Sequence, residues 1–279
     1  MSAIDRTGTA AVETAAAASK EVDRETLTVC IPTKDAAHLL ADCLASVAWA
    51  DEIIVVDMYS VDRTRDLCAE YPHCRFFERS GYIFGNLNFA FDHATSDWVL
   101  RLDSDERITP ELGEEIRTIL REPPQDVTGF EFWERQFVLG RELHHGFARK
   151  HYRKILFRRG TARYPVRHEH EDLDSDGRWL RGRHGYIHLN YNTVDDYLRK
   201  TSYYTQRDVE RLSLPEAAPR QAEALREIAR AFYLYYLKYS GYRDGWRGLL
   251  DAGMRSAYQF VYWAKLRERW ERERGGDGS

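Results

Sequence analysis

Between Leu27 and Leu102 the chain keeps alternating short apolar runs with segments of helical apolar spacing, and this alternation restricts its fold more than any other feature. Leu27–Ile31, Glu52–Val56, Arg75–Phe77 and Trp98–Leu102 read as strands, the first halted by Pro32. Between the first two, Leu39, Leu40, Cys43, Leu44 and Val47 fall on one face of a helix over 36–47. Asp62 can cap a short helix, and 86–93 reads as another. Thr109-Pro110 opens a helix to about Leu120, with threonine as cap and proline at the first helical position. Strands and helices in this order predict an α/β fold with a Rossmann-like, mostly parallel sheet.

Such a sheet gathers ligands at the carboxyl ends of its strands. Three of those ends are polar here: Thr33-Lys34-Asp35, Asp57, and Asp103-Ser104-Asp105. Asp103 and Asp105 together offer hard oxygen ligands for a divalent cation, although the same acids can also be a solvated turn before the next helix. No GxGxxG follows the first strand and no GxxxxGK[ST] occurs, so the dinucleotide fingerprint and the P-loop are both missing.

Residues 129–190 read as short strand-like runs between His- and Arg-rich loops. Asp172, Asp174, Asp176 and Gly177 imitate the start of an EF-hand loop, but Arg183 stands where a bidentate glutamate is needed; Asp174–Gly177 is expected to be a hairpin turn. From Thr193, which has capping-box spacing with Asp196, the chain turns helical. A second helix is expected from near Pro219 through Leu237, and a third after Gly241–Gly245 toward Arg274. The expected organisation is a disordered tail over 1–24, a catalytic domain over 25–192 and a helical region over 193–274.

The net charge of −4 gives no general drive toward nucleic acid, and the basic run Arg149, Lys150, Arg153, Lys154, Arg158, Arg159 and Arg163 has no nucleic-acid motif beside it. No apolar run reaches the length of a membrane span, and no apolar leader opens the chain. Cys30, Cys43, Cys68 and Cys74 lack metal or disulfide spacing and suit small core residues in a reducing cytoplasm. The aromatic stripe of Phe232, Tyr233, Tyr235, Tyr236, Tyr239, Tyr258, Phe260, Tyr262 and Trp263 admits three readings: helix packing, a homodimer interface, or peripheral contact with a membrane surface.

Four segments together resemble the family 2 glycosyltransferases of GT-A fold: Val29–Asp35, Ala50–Asp57, Asn88–Phe91 and Asp97–Glu106. Ile187–Tyr191 and Gly241–Gly245 look like the carboxyl half of the bacterial subgroup that extends lipopolysaccharide core sugars. The resemblance spans roughly 27–266 and implies a nucleotide-sugar enzyme, with UDP- or GDP-sugar as donor. It implies that Pro32, Thr33, Lys34, Asp35, Asp57, Asn88 and Asp103 line the nucleotide. It further implies that Asp103 and Asp105 form a DxD motif that holds Mn²⁺ or Mg²⁺ on the diphosphate, with His188 as a third ligand. An inverting transfer also needs a base for the acceptor hydroxyl, and Glu169 is the first candidate, with His168 and Glu171 beside it.

The sequence departs from the subgroup in two places. Met58 and Tyr59 stand where small residues usually follow the aspartate of the second strand, and Gly85-Asn86-Leu87 supplies no cation ahead of Asn88. Two alternatives to glycosyl transfer therefore stay open. One is a metal-dependent, flavin-independent isomerase or mutase that rearranges a nucleotide sugar between pyranose and furanose rings. The other is a non-catalytic sugar-nucleotide-binding protein.

Overall fold

A computed structural model of the chain describes residues 24–149, 151–166 and 172–274. Four parallel strands build one side of the sheet, in the spatial order β3 (Cys74–Glu78), β2 (Glu52–Asp57), β1 (Leu27–Thr33) and β4 (Trp98–Arg101). β1 and β2 are buried along their whole length, which is why their sequences show no polar alternation. Leu27, Val29, Ile31, Ile53 and Val55 join α1 (Ala37–Val47) and α4 (Pro110–Arg121) in one core. Cys30, Ile54 and Val56 join Phe84, Leu87 and Phe91 of α3 (Ile83–His93) in another. The short α2 (Thr64–Ala69) links β2 to β3. Thr109 caps α4 by accepting the Leu112 N–H at 3.2 Å.

Beyond β4 the sheet becomes mixed. β8 (Tyr152–Arg158) runs antiparallel to both β4 and β6 (Gly129–Val138), and β6 lies parallel to β9 (Trp179–Tyr191). The two-residue β5 (Glu106–Arg107) and β7 (Arg141–Glu142) pair antiparallel with β9 and β6. The stretch expected to be irregular thus holds two long strands. On β6 the buried face is Phe130, Phe132, Glu134, Gln136 and Val138, so the apolar alternation that would reveal a strand fails halfway along it. The expected hairpin at Asp174–Gly177 is also corrected. β6 lies between β8 and β9, so no hairpin joins them, and Asp174 instead makes an isolated bridge with Arg163.

Close approach requires glycine on β9. A Cβ on Gly182 would stand 2.0 Å from Phe132 Cε1, and one on Gly185 would stand 2.6 Å from the Trp133 carbonyl.

Thr193 and Asp196 exchange both hydrogen bonds of a capping box and open α5 (Val194–Arg211). α6 (Gln221–Phe232) continues into a π-helical turn, Tyr233–Lys238, and a 3-10 turn, Gly241–Asp244, before α7 (Gly245–Arg274). The 3-10 turn ties this region to the sheet domain: the Asp244 carboxylate accepts the His144 and His145 amides at 3.1 and 2.8 Å. Much of the aromatic stripe packs on itself and on its surroundings, as Phe232 does on Tyr236 and Tyr235 on Phe147. Tyr233, Leu237, Tyr242 and Trp246 are exposed. Among the described residues no helix is long and apolar enough to cross a membrane.

Candidate active site

Thr33 and Asp57 lie opposite each other at the ends of β1 and β2, and the two loops that follow are laced together. Ser60 is the knot. Its amide and hydroxyl donate to the two Asp57 oxygens at 2.8 and 2.5 Å, and its oxygen accepts the Asp35 N–H at 2.7 Å. Lys34 Nζ donates to the Met58 and Tyr59 carbonyls, each at 2.9 Å, and Val61 N–H donates to Asp35 Oδ1 at 2.8 Å. Asp62 accepts from Ala37 N–H at the start of α1 and from the Thr64 amide and hydroxyl at the start of α2. One carboxylate therefore satisfies orphan amides of two helices. Tyr59, in the left-handed region at φ 57°, leaves its side chain exposed. The Thr33 hydroxyl oxygen is buried and has no hydrogen-bond partner among the described residues.

Asn88 does different work from that expected. Its amide group donates to the Tyr164 carbonyl and its oxygen accepts the Tyr164 N–H, each at 2.9 Å. The carboxamide holds the backbone at 164. Arg163 and Asp174 exchange backbone hydrogen bonds at 3.0 and 2.8 Å just beyond it. The candidate catalytic residues His168, Glu169 and Glu171 belong to this part of the sequence and lie outside the described residues. Arg79 reaches the Asn86 oxygen at 2.7 Å, so a cation does stand at the start of α3 even though residues 85–87 carry none.

At the acidic strand end, the buried Arg101 pairs with both Asp103 and Glu106, and Asp103 N–H donates to Glu106 Oε2 at 2.8 Å. The short β5 then pairs with β9 so that Glu106 faces His188, and Leu189 N–H donates to the Asp105 carbonyl at 2.9 Å. This register brings His188 Nε2 to 3.6 Å from Asp105 Oδ2. The other ring nitrogen, Nδ1, lies 2.6 Å from Glu134 Oε1. Lys200, from α5, donates to the same Asp105 Oδ2 at 3.0 Å and to the Asn190 carbonyl at 2.9 Å. Burial works against a charged His188, but Glu134 and Asp105 outweigh it and push its pKa up to about 10. Burial likewise opposes a charged Asp105, and His188 and Lys200 hold it well below the usual carboxylate range. Glu106 is pushed up to about 7, chiefly by burial against the pull of Arg101.

The donors fit a hard divalent cation. Asp103 Oδ1 is buried with no hydrogen-bond partner among the described residues, and two residues further on an Asp105 oxygen lies 3.6 Å from an imidazole nitrogen of His188. Two oxygens and one nitrogen suit Mn²⁺ or Mg²⁺. Glu134 Oε1 lies beside the second ring nitrogen of His188 as an ion-pair contact at 2.6 Å that lacks the directional geometry of a hydrogen bond. Among the described residues, the acids and histidines whose donor atoms all lie within 4.8 Å of one another are Glu106, Glu134 and His188; Glu106 is also held by Arg101 and the Asp103 amide, as Asp103 is by Arg101 and Asp105 by Lys200. Sequence reasoning missed Glu134 and Lys200. The only available signal was a lone acid amid the aromatics of 130–137 and a lysine on the polar face of a capped helix.

Polar strand ends beside an acidic pair on an α/β sheet suit an enzyme of the glycosyltransferase class, and the chain belongs to glycosyl transferase family 2, whose profile matches residues 28–180. Its fold is the GT-A arrangement with a helical carboxyl segment. In particular, it is 24% identical over 237 residues to the lipopolysaccharide core biosynthesis glycosyltransferase LpsC of Rhizobium meliloti (strain 1021), a match that covers 82% of this chain and 87% of LpsC. An uncharacterized glycosyltransferase of Rickettsia felis is 35% identical over 105 residues, or 37% of this chain and 36% of the relative. Similar solved structures include S. aureus TarS 1–349 in complex with UDP-GlcNAc, at TM-score 0.44 and 15% identity over 89% of this chain and 92% of that one. The mannosyltransferase PcManGT from Pyrobaculum calidifontis in complex with GDP-Man and Mn²⁺ aligns at TM-score 0.47 and 16% identity, over 87% of each chain. The two sequence relatives are glycosyltransferases, and neither supports rearrangement of a nucleotide sugar without an acceptor.

Proposed function

We propose that this glycosyltransferase is divalent-cation-dependent and inverting, and that it moves a sugar from a UDP- or GDP-sugar to an acceptor hydroxyl. The observation that carries this reading is the convergence of Asp105, His188 and Glu134 at the strand end beside the laced Asp35–Asp57 loops. Pro32–Asp35 and Asp57 form the nucleotide side, with the unpartnered Thr33 hydroxyl available to a ligand. Asp103, Asp105 and His188 would hold Mn²⁺ or Mg²⁺, which when bound supplies positive charge against the departing diphosphate. Glu134 stands on the other side of the His188 ring, which supports Nε2 facing Asp105.

Glu169 takes the acceptor proton, with His168 and Glu171 as the neighbours to which the role would pass. This assignment rests on the sequence, and the Asn88–Tyr164 and Arg163–Asp174 contacts support it by anchoring the chain on either side.

The test is incubation with Mn²⁺ and a panel of UDP- and GDP-sugars, with and without candidate acceptors, following nucleoside diphosphate release and the anomeric configuration by NMR. Acceptor-dependent release with inversion is expected. A rearranged sugar nucleotide formed without released diphosphate would overturn transfer. Glu169→Gln should lower turnover by about 10²–10⁴-fold while nucleotide affinity holds.

A further inference from the structure

Lys200 has no assigned part in the site described above, yet it sits on the oxygen at the centre of it. Its ammonium donates to Asp105 Oδ2 at 3.0 Å, the oxygen from which His188 Nε2 stands 3.6 Å away. A second bond at 2.9 Å to the Asn190 carbonyl and the Tyr191 ring centroid at 5.4 Å complete its seat. The lysine is delivered by α5, whose start is fixed by the Thr193–Asp196 capping box, and Asn190 and Tyr191 belong to the same strand as His188. The seat is therefore built from two elements.

We propose that Lys200 is the resident counter-cation of Asp105, and that a divalent cation reaches the site only by displacing this ammonium from the carboxylate. The inference rests on the reading of Asp103, Asp105 and His188 as the metal site. A dication held between Asp105 Oδ2 and His188 would share one carboxylate oxygen with an ammonium, and like charges this close repel strongly in a half-buried setting. The Asn190 carbonyl and the Tyr191 face leave Lys200 a place to remain once Asp105 is surrendered. Without metal, the lysine satisfies Asp105 Oδ2 with a hydrogen bond. With metal present, the site's affinity is lowered by the share of molecules in which Lys200 holds the oxygen.

Titration of Mn²⁺ into wild type, Lys200→Met, Lys200→Arg and Asp105→Asn, followed by the electron paramagnetic resonance signal of free Mn²⁺, tests this without recourse to turnover. Lys200→Met should bind Mn²⁺ about tenfold tighter than wild type, and Lys200→Arg, which keeps the charge, should stay near wild type. Circular dichroism melts establish that each variant is folded. If Asp105→Asn loses Mn²⁺ binding but Lys200→Met binds no tighter than wild type, the displacement is refuted and the metal site stands. If Asp105→Asn binds Mn²⁺ as well as wild type, the metal reading itself fails, and the displacement with it.

Discussion

Two buried glutamates at different places on the same sheet show how differently one residue type can be used. Glu52 opens β2 at the amino edge, where it accepts from the Thr28 hydroxyl at 2.6 Å, the Thr95 amide and hydroxyl at 2.9 Å each, and Arg75 at 2.6 Å. Glu134 lies within β6, and the groups around it are His188 at 2.6 Å, Arg153 at 3.8 Å and His151 at 3.9 Å. Both carboxyls are held below the usual range although burial opposes it. Hydroxyls, an amide and one arginine do this for Glu52, so its charge closes a structural node. For Glu134 the partners are an arginine and two histidines, one of which points onward to Asp105. The first carboxylate ends a network, and the second passes its influence into the site.

Exchanging each acid for its amide separates these roles. Glu134→Gln removes the charge that orients His188 and should weaken Mn²⁺ binding and turnover about a hundredfold, the upper end for such partners because the group is only 4% exposed. A calorimetric metal titration checks this, and wild-type affinity would erase the contrast. The support beneath Glu134 is probed by Gly182→Ala, whose Cβ meets Phe132 and should cost about 2 kcal/mol of stability in urea denaturation. Glu52→Gln should leave turnover unchanged and cost about 1 kcal/mol by the same measurement. The pH dependence sharpens the distinction. The folded pKa of Glu52 lies below its ordinary 4.5, so its stabilisation is present above that value and disappears as pH falls through the folded pKa. The stability curve of Glu52→Gln should therefore be flatter than that of wild type below about pH 4.5, and parallel curves would remove Glu52 as the cause.

The parallel half was legible because its signals are local. β1 and β2 are apolar on both faces, Thr109 caps α4, and Asp103 and Asp105 lie within one short segment. The other half hid itself by burying charge. β6 places Glu134 and Gln136 on its inner face, which breaks the period that identifies a strand, and β9 mixes arginine and histidine with two glycines that packing requires. His188 was found through resemblance, whereas its register against Glu106 comes from a two-residue strand too short to carry a pattern. Lys200 meets Asp105 across 95 residues of sequence, a contact that no spacing reveals. Nor does spacing reveal that the Asn88 amide serves the backbone of Tyr164, 76 residues away.

Asp62 has a consequence for how this loop can vary. Its carboxylate holds the first turns of both α1 and α2, while two residues earlier Ser60 is tied to Asp57 and Asp35. The span from 57 to 62 is thus pinned at both ends and has no slack. Inserting a residue would pull on one anchor or the other, so this rim can vary through what projects from Met58, Tyr59 and Val61 more readily than through the length of the chain that carries them.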